Sequence, residues 1–246
     1  METLTGAAPG GDARAVDGGR GVAWWSEGWA LFTKAAGMWI VLAIVLLIIA
    51  IVLSFIPLIG GLALALVLPV FIGSWMLAAR KVEQGGTLEV GDLFTCFQGD
   101  RLTPLLVVGA LLLAGGIVIG VVVGALGLGA VFGLFAGGMA RSGGGVFAAL
   151  GTGMLALLAG LVLGTLLTMA TWFAPALVVF RQVPPVEAVK ASFAASLKNV
   201  VAFLLWGIVY IVAAIVASIP FGIGWIVLAP LLMLTAYVSY QDIFGA

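Results

Sequence analysis

Six stretches of this chain are each long enough to cross a bilayer and contain no charged residue. They fall at about 38–56, 58–79, 104–140, 146–180, 200–218 and 221–240. A helix needs roughly 18 to 20 apolar residues to traverse hydrocarbon, so every run qualifies. Pro57 and Pro220 divide two longer apolar tracts into tight hairpins, because proline lacks a donor and turns the residue before it away from helix. The expected fold is therefore all-α: a polytopic membrane protein of six transmembrane helices arranged as three hairpins.

Composition leaves little room for a water-soluble alternative. Of the 246 residues 64% are apolar and 8% charged, against about a quarter charged in soluble domains. The net charge is zero and histidine is absent. The first argues against a nucleic-acid partner, which would call for a basic patch, and the second removes the commonest imidazole base, metal ligand and pH switch. A single cysteine, Cys96, permits no internal disulfide.

The placement of charge orients the molecule. Arg14, Arg20 and Lys34 precede the first span, Arg80, Lys81 and Arg101 lie between spans two and three, and Arg181, Lys190 and Lys198 lie between spans four and five. Only Arg141 falls on the other side. The positive-inside rule then puts both chain ends in the cytoplasm. Residues 1–20, rich in Gly and Ala with charges of both signs, read as a disordered cytoplasmic tail, and 21–246 as one integral membrane domain.

Each hairpin is preceded by a cytoplasmic stretch with helical periodicity. Trp25, Trp29, Phe32 and Ala36 form one stripe, Val90, Leu93, Phe94 and Phe97 a second, and Val186, Val189, Phe193 and Leu197 a third. Such amphipathic helices are expected to lie in the headgroup plane. Helix, span, turn and span then recur as three units, about 24–81, 88–182 and 184–246. The middle unit carries a glycine-rich apolar insertion at about 124–157, which reads as two helices projecting past the outer interface with Arg141 at an exposed turn.

Within that region glycines recur at every fourth position: Gly116, Gly120 and Gly124, then Gly129, Gly133 and Gly137, with Gly160 and Gly164 on the next run. Small residues at this spacing let helix backbones touch in lipid. They mark either packing inside one hairpin or a seam for a membrane-protein partner or a second copy. Proline breaks are expected at Pro69, Pro104, Pro175 and Pro230, and a candidate groove at Ser74, Trp75, Thr168, Trp172 and Pro175. The ten carboxylates all lie outside the charge-free runs. No catalytic, cofactor-binding or metal-ligating constellation emerges: no base stands near a span hydroxyl, and Glu89 and Asp92 read as a solvated helix face.

The blocks GWALF at 28–32, IPLIGG at 56–61, WFAPALVVF at 172–180, PPVEAVKASFAASLKN at 184–199 and YVSYQDIF at 237–244 resemble a family of six-span proteobacterial inner-membrane proteins. The resemblance covers about 20–246, poorest over 124–157. It implies a bacterial inner membrane and assigns neither activity nor catalytic residues. Two functions fit: a non-enzymatic component that packs with or assists other membrane proteins, or a transporter or lipid-handling protein for a neutral or amphiphilic solute.

Overall fold

A computed structural model of the chain describes residues 13–139 and 143–245, with backbone alone for 136–139 and 143. Among the described residues the fold is helical throughout. The α-helices are α1 (Arg20–Thr33), α2 (Ala36–Ser54), α3 (Ile59–Glu83), α4 (Leu102–Met139), α5 (Gly143–Thr171), α6 (Ala174–Arg181), α7 (Pro185–Lys198), α8 (Val200–Ser218) and α9 (Trp225–Phe244). Two 3₁₀ turns, Val90–Phe97 and Gly99–Arg101, lie between α3 and α4. Six helical segments are long and apolar enough to cross a membrane.

The expected hairpin turns are present at both prolines. Between α2 and α3 the chain reverses so tightly that a Cβ on Gly60 would stand 1.7 Å from the Leu53 carbonyl oxygen, so only glycine fits. Pro69 and Pro230 lie inside unbroken helices, contrary to the breaks expected there. A proline removes one donor, which a membrane helix tolerates when neighbouring groups take up the freed carbonyl. Pro104 sits in the first turn of α4, where the lost donor is unpaired in any case, and Pro175 opens α6 after a bend at Trp172 and Phe173.

One membrane domain is expected over 21–246, but the contacts divide it into two compact units. The first comprises the described residues up to Ala110 and from Met169 onward; the second is Leu111–Thr168, which spans the whole of the glycine-rich insertion. In the first unit α9 is the central pillar, packed against α1, α2, α3 and α8. Its side chains Leu234, Tyr237, Tyr240 and Ile243 are buried there. Helix α4, most of which belongs to the second unit, runs without interruption, its 38 residues spanning roughly 57 Å at 1.5 Å per residue. The expected turn at Arg141 lies outside the described residues.

The amphipathic stretches also differ from expectation. Protein covers the aromatic face of α1: Trp24 and Trp25 are buried, with Trp24 5.5 Å from Phe203 and Trp25 stacked on Trp206 at 5.5 Å. Of its expected stripe Trp29 remains half exposed. The middle stretch is a short 3₁₀ helix, fixed by a capping box in which Glu89 and Asp92 each accept the other's backbone N–H. Part of the expected disordered tail is ordered. Residues 13–19 lie along the bundle, with the Arg14 N–H donating to the Ile243 carbonyl at 2.9 Å and the Val16 N–H to Asn199 Oδ1 at 2.8 Å. Residues 1–12 lie outside the described set.

Candidate functional site

The polar chemistry of the first unit collects around the C-terminal end of α9. Asp242 accepts from the indole N–H of the buried Trp24 at 2.9 Å and from Arg20, while Arg14 pairs with it at 3.4 Å. Arg20 also pairs with Glu27 at 2.9 Å, and these hydrogen bonds to Asp242 and Glu27 hold its guanidinium above its ordinary pKa. Arg181 donates to the Phe244 carbonyl and stacks over the Phe244 ring. The charges in this cluster therefore serve each other.

A second carboxylate is equally committed. Glu83, at the end of α3, accepts from the Tyr237 hydroxyl at 2.6 Å and from Gln241 Nε2 at 2.7 Å. Arg80 lies over the Phe180 ring at 5.3 Å. The space bounded by Arg80, Phe180, Tyr237, Tyr240 and Gln241 is about 10 Å³, no more than one water occupies. Asp92, which the sequence assigns to a solvated face, is instead held by Lys81 Nζ at 2.9 Å and by the Glu89 N–H at 2.8 Å. Among the described residues no three His, Cys, Asp or Glu side chains group as metal ligands.

Three of the five residues of the expected groove, Ser74, Trp75 and Pro175, are buried, Trp172 is half-buried and Thr168 is exposed. Ser74 is buried, donating to the Val70 carbonyl and accepting from the Cys96 N–H, both at 3.0 Å. Trp75 is buried and stacked on Trp39 at 5.5 Å. Trp172 donates to Ser239 Oγ at 3.3 Å and meets Trp206 edge-on at 4.9 Å, and Pro175 is buried in the first turn of α6. Thr168 donates to the Gly164 carbonyl at 2.9 Å and ends the second unit. Ser74, Trp75 and Pro175 are thus covered by protein, which corrects the groove expected from them. Cys96 lies in the same packed layer. Burial is the main influence that pushes its thiol above the usual range, against opposing effects of Ser74 and Arg101.

The glycine ladders are largely unspent within their own hairpin. A Cβ built on Gly116, Gly120, Gly124, Gly129 or Gly164 would meet nothing within 4 Å. Contact inside the hairpin falls instead at Gly133, 3.2 Å from Ala149 Cβ, at Gly160, 3.4 Å from Val123, and at Gly115, against Leu167 at 2.6 Å. The surroundings of Gly137 lie outside the described residues.

Sequence reasoning missed one open feature. A cavity of about 500 Å³ lies between the start of α2 and the loop after α3, lined by residues 34–38, Val82 and 85–88. Lys34 stands at its edge, exposed, with no ion pair or hydrogen bond among the described residues. The signal was present: a lysine two residues ahead of one span, and Gly85-Gly86-Thr87 just beyond the next.

No protein-family model, curated protein or solved structure matches the chain.

Proposed function

We propose that this protein is a non-enzymatic component of a bacterial inner membrane, with both ends in the cytoplasm, that packs against another membrane protein through the α4–α5 hairpin. The open glycine ladder carries this reading. In a helix interior glycine costs about 1 kcal/mol relative to alanine, and contact with lipid does not call for it. Backbone-to-backbone contact between helices does. Gly116, Gly120 and Gly124, four residues apart and so near one face, leave such a surface on α4 without using it inside the hairpin. The commitment of Asp242, Glu83 and Asp92 to structural partners fits a scaffold better than an acid–base catalyst. The positive-inside asymmetry supports the orientation, and the matched 14- and 19-residue helices of the outer units support an internal repeat.

The test is a Gly120→Leu/Gly124→Leu variant, purified beside the wild-type chain in mild detergent, with co-purifying membrane proteins identified. Both positions open onto free space, so the variant is expected to fold and melt as wild type does while losing its partner. An undiminished partner set in a well-folded variant refutes the reading. Self-association lost in the same way assigns the surface to a second copy.

A further inference from the structure

Two junctions of the chain are built alike. In each a 14-residue helix, α1 or α7, leads into a 19-residue helix, α2 or α8. A lysine stands two residues ahead of the longer helix, Lys34 in one case and Lys198 in the other. The residue between has the same backbone shape, φ −146° and ψ 39° at Ala35 and φ −119° and ψ 28° at Asn199.

The second junction is occupied by the chain itself. Lys198 Nζ donates to the Ala13 carbonyl at 2.7 Å, and the Asn199 carboxamide takes the Arg14 carbonyl at 3.1 Å and the Val16 N–H at 2.8 Å. Among the described residues nothing equivalent fills the first. Lys34 has no partner among the described residues and borders the 500 Å³ cavity. The built counterpart therefore shows what this geometry holds: an oxygen acceptor brought against the lysine ammonium.

We propose that the cavity beside Lys34 binds the headgroup of an anionic phospholipid, with the Lys34 ammonium holding the phosphate. Its volume lies within the range of small-molecule sites. No carboxylate lines it, so an anion meets one positive charge without a competing negative one. Its walls change character: Lys34, Gly85, Gly86 and Thr87 offer polar groups, and Met38, Val82 and Leu88 offer apolar surface. It opens where one membrane-spanning helix begins and another ends, the level at which headgroups meet acyl chains. A free phosphate ion would use the polar wall alone; a lipid uses both. The proposal is independent of the partner surface on α4–α5.

The test uses the full chain in a neutral maltoside detergent, titrated with phosphatidylglycerol or phosphatidylcholine and read by native mass spectrometry. One phosphatidylglycerol is expected to be retained in preference to phosphatidylcholine. Lys34→Gln should weaken that retention roughly five-fold, the effect of one lysine near an anionic surface, and Lys34→Arg should restore it. Gly37 lines the cavity with open space around its Cβ, so Gly37→Trp should block the lipid without changing charge. If Gly37→Trp fails to fold, the Lys34 variants decide alone. Equal retention of the two lipids, or retention untouched by Lys34→Gln at an unchanged melting temperature, overturns the proposal. Inorganic phosphate that binds without lipid and with the same Lys34 dependence overturns the lipid assignment.

Discussion

Replacing Asp242 with alanine should destabilise the bundle far more than replacing it with asparagine. The carboxylate has 14% of its side-chain surface exposed and accepts from Trp24, Arg20 and Arg14. Trp24 is fully buried, so alanine would leave its indole N–H without an acceptor, at about 1–3 kcal/mol. The side chains of Arg20 and Arg14 are 35% and 59% exposed, so water replaces much of what they lose and each ion pair contributes under about 1 kcal/mol. The total for alanine is about 2–4 kcal/mol, most of it from the indole. Asparagine keeps an oxygen facing that N–H and should cost about 1 kcal/mol. Thermal unfolding in maltoside should rank wild type above Asp242→Asn and both well above Asp242→Ala. Adding Trp24→Phe to Asp242→Ala should recover part of the loss, because the orphaned donor goes with it. Equal melting of the alanine and asparagine variants would refute the reasoning, since charge rather than the buried donor would then govern.

Other outcomes follow from the same geometry. Gly21→Ala and Gly109→Ala should disrupt folding, because their Cβ atoms would stand 1.9 Å from the Ala202 carbonyl and 2.0 Å from the Leu66 carbonyl, whereas Gly120→Ala should keep or raise the melting temperature. Ser74→Ala should cost about 1–3 kcal/mol in the same assay, since the Cys96 N–H would lose its buried acceptor. The buried Cys96 thiol, held above the usual range, should react with maleimide at least ten-fold more slowly than free cysteine at pH 8 and recover on unfolding in SDS. Its neutral form is favoured on folding, so this group's contribution to stability is present at neutral pH and lost as pH rises through its elevated value. In a cysteine-free background, single cysteines at 59 and 222 should label from outside and those at 85, 183 and 245 only after permeabilisation.

The spans were legible because a bilayer imposes one requirement, a charge-free run of sufficient length, and the sequence states it without ambiguity. The expected run at 200–218 coincides with α8, and the run at 38–56 is displaced from α2 by two residues. Surroundings were harder to read. Trp25 and Phe32 carry the periodicity of a lipid-facing stripe, yet α8 and α9 cover them, since periodicity marks an apolar face without saying what lies against it. Asp92 looked solvated because its partner Lys81 lies eleven residues earlier, across a loop whose path no spacing rule supplies. The glycine ladders were visible as a pattern; which rungs remain open depends on how α4 meets α5. Pro175 opens a new helix after a bend and Pro69 lies inside an unbroken one, a difference set by the residues around each rather than by proline itself.

The segment at 13–19 has a consequence for the order of assembly. Arg14 reaches Asp242 across 228 residues of chain, so its contacts cannot form until α9 has been synthesised. Before then Trp24 lacks its acceptor, and α1 lacks one of the two helices against which it mainly packs. A chain stalled after α8 can stack Trp25 on Trp206, but it leaves the Trp24 indole N–H without its carboxylate and one side of α1 uncovered, a feature by which proteases could distinguish incomplete chains from mature ones. The earliest described residues thus act as a latch that the α7–α8 junction can hold in part and that closes fully only with the last helix.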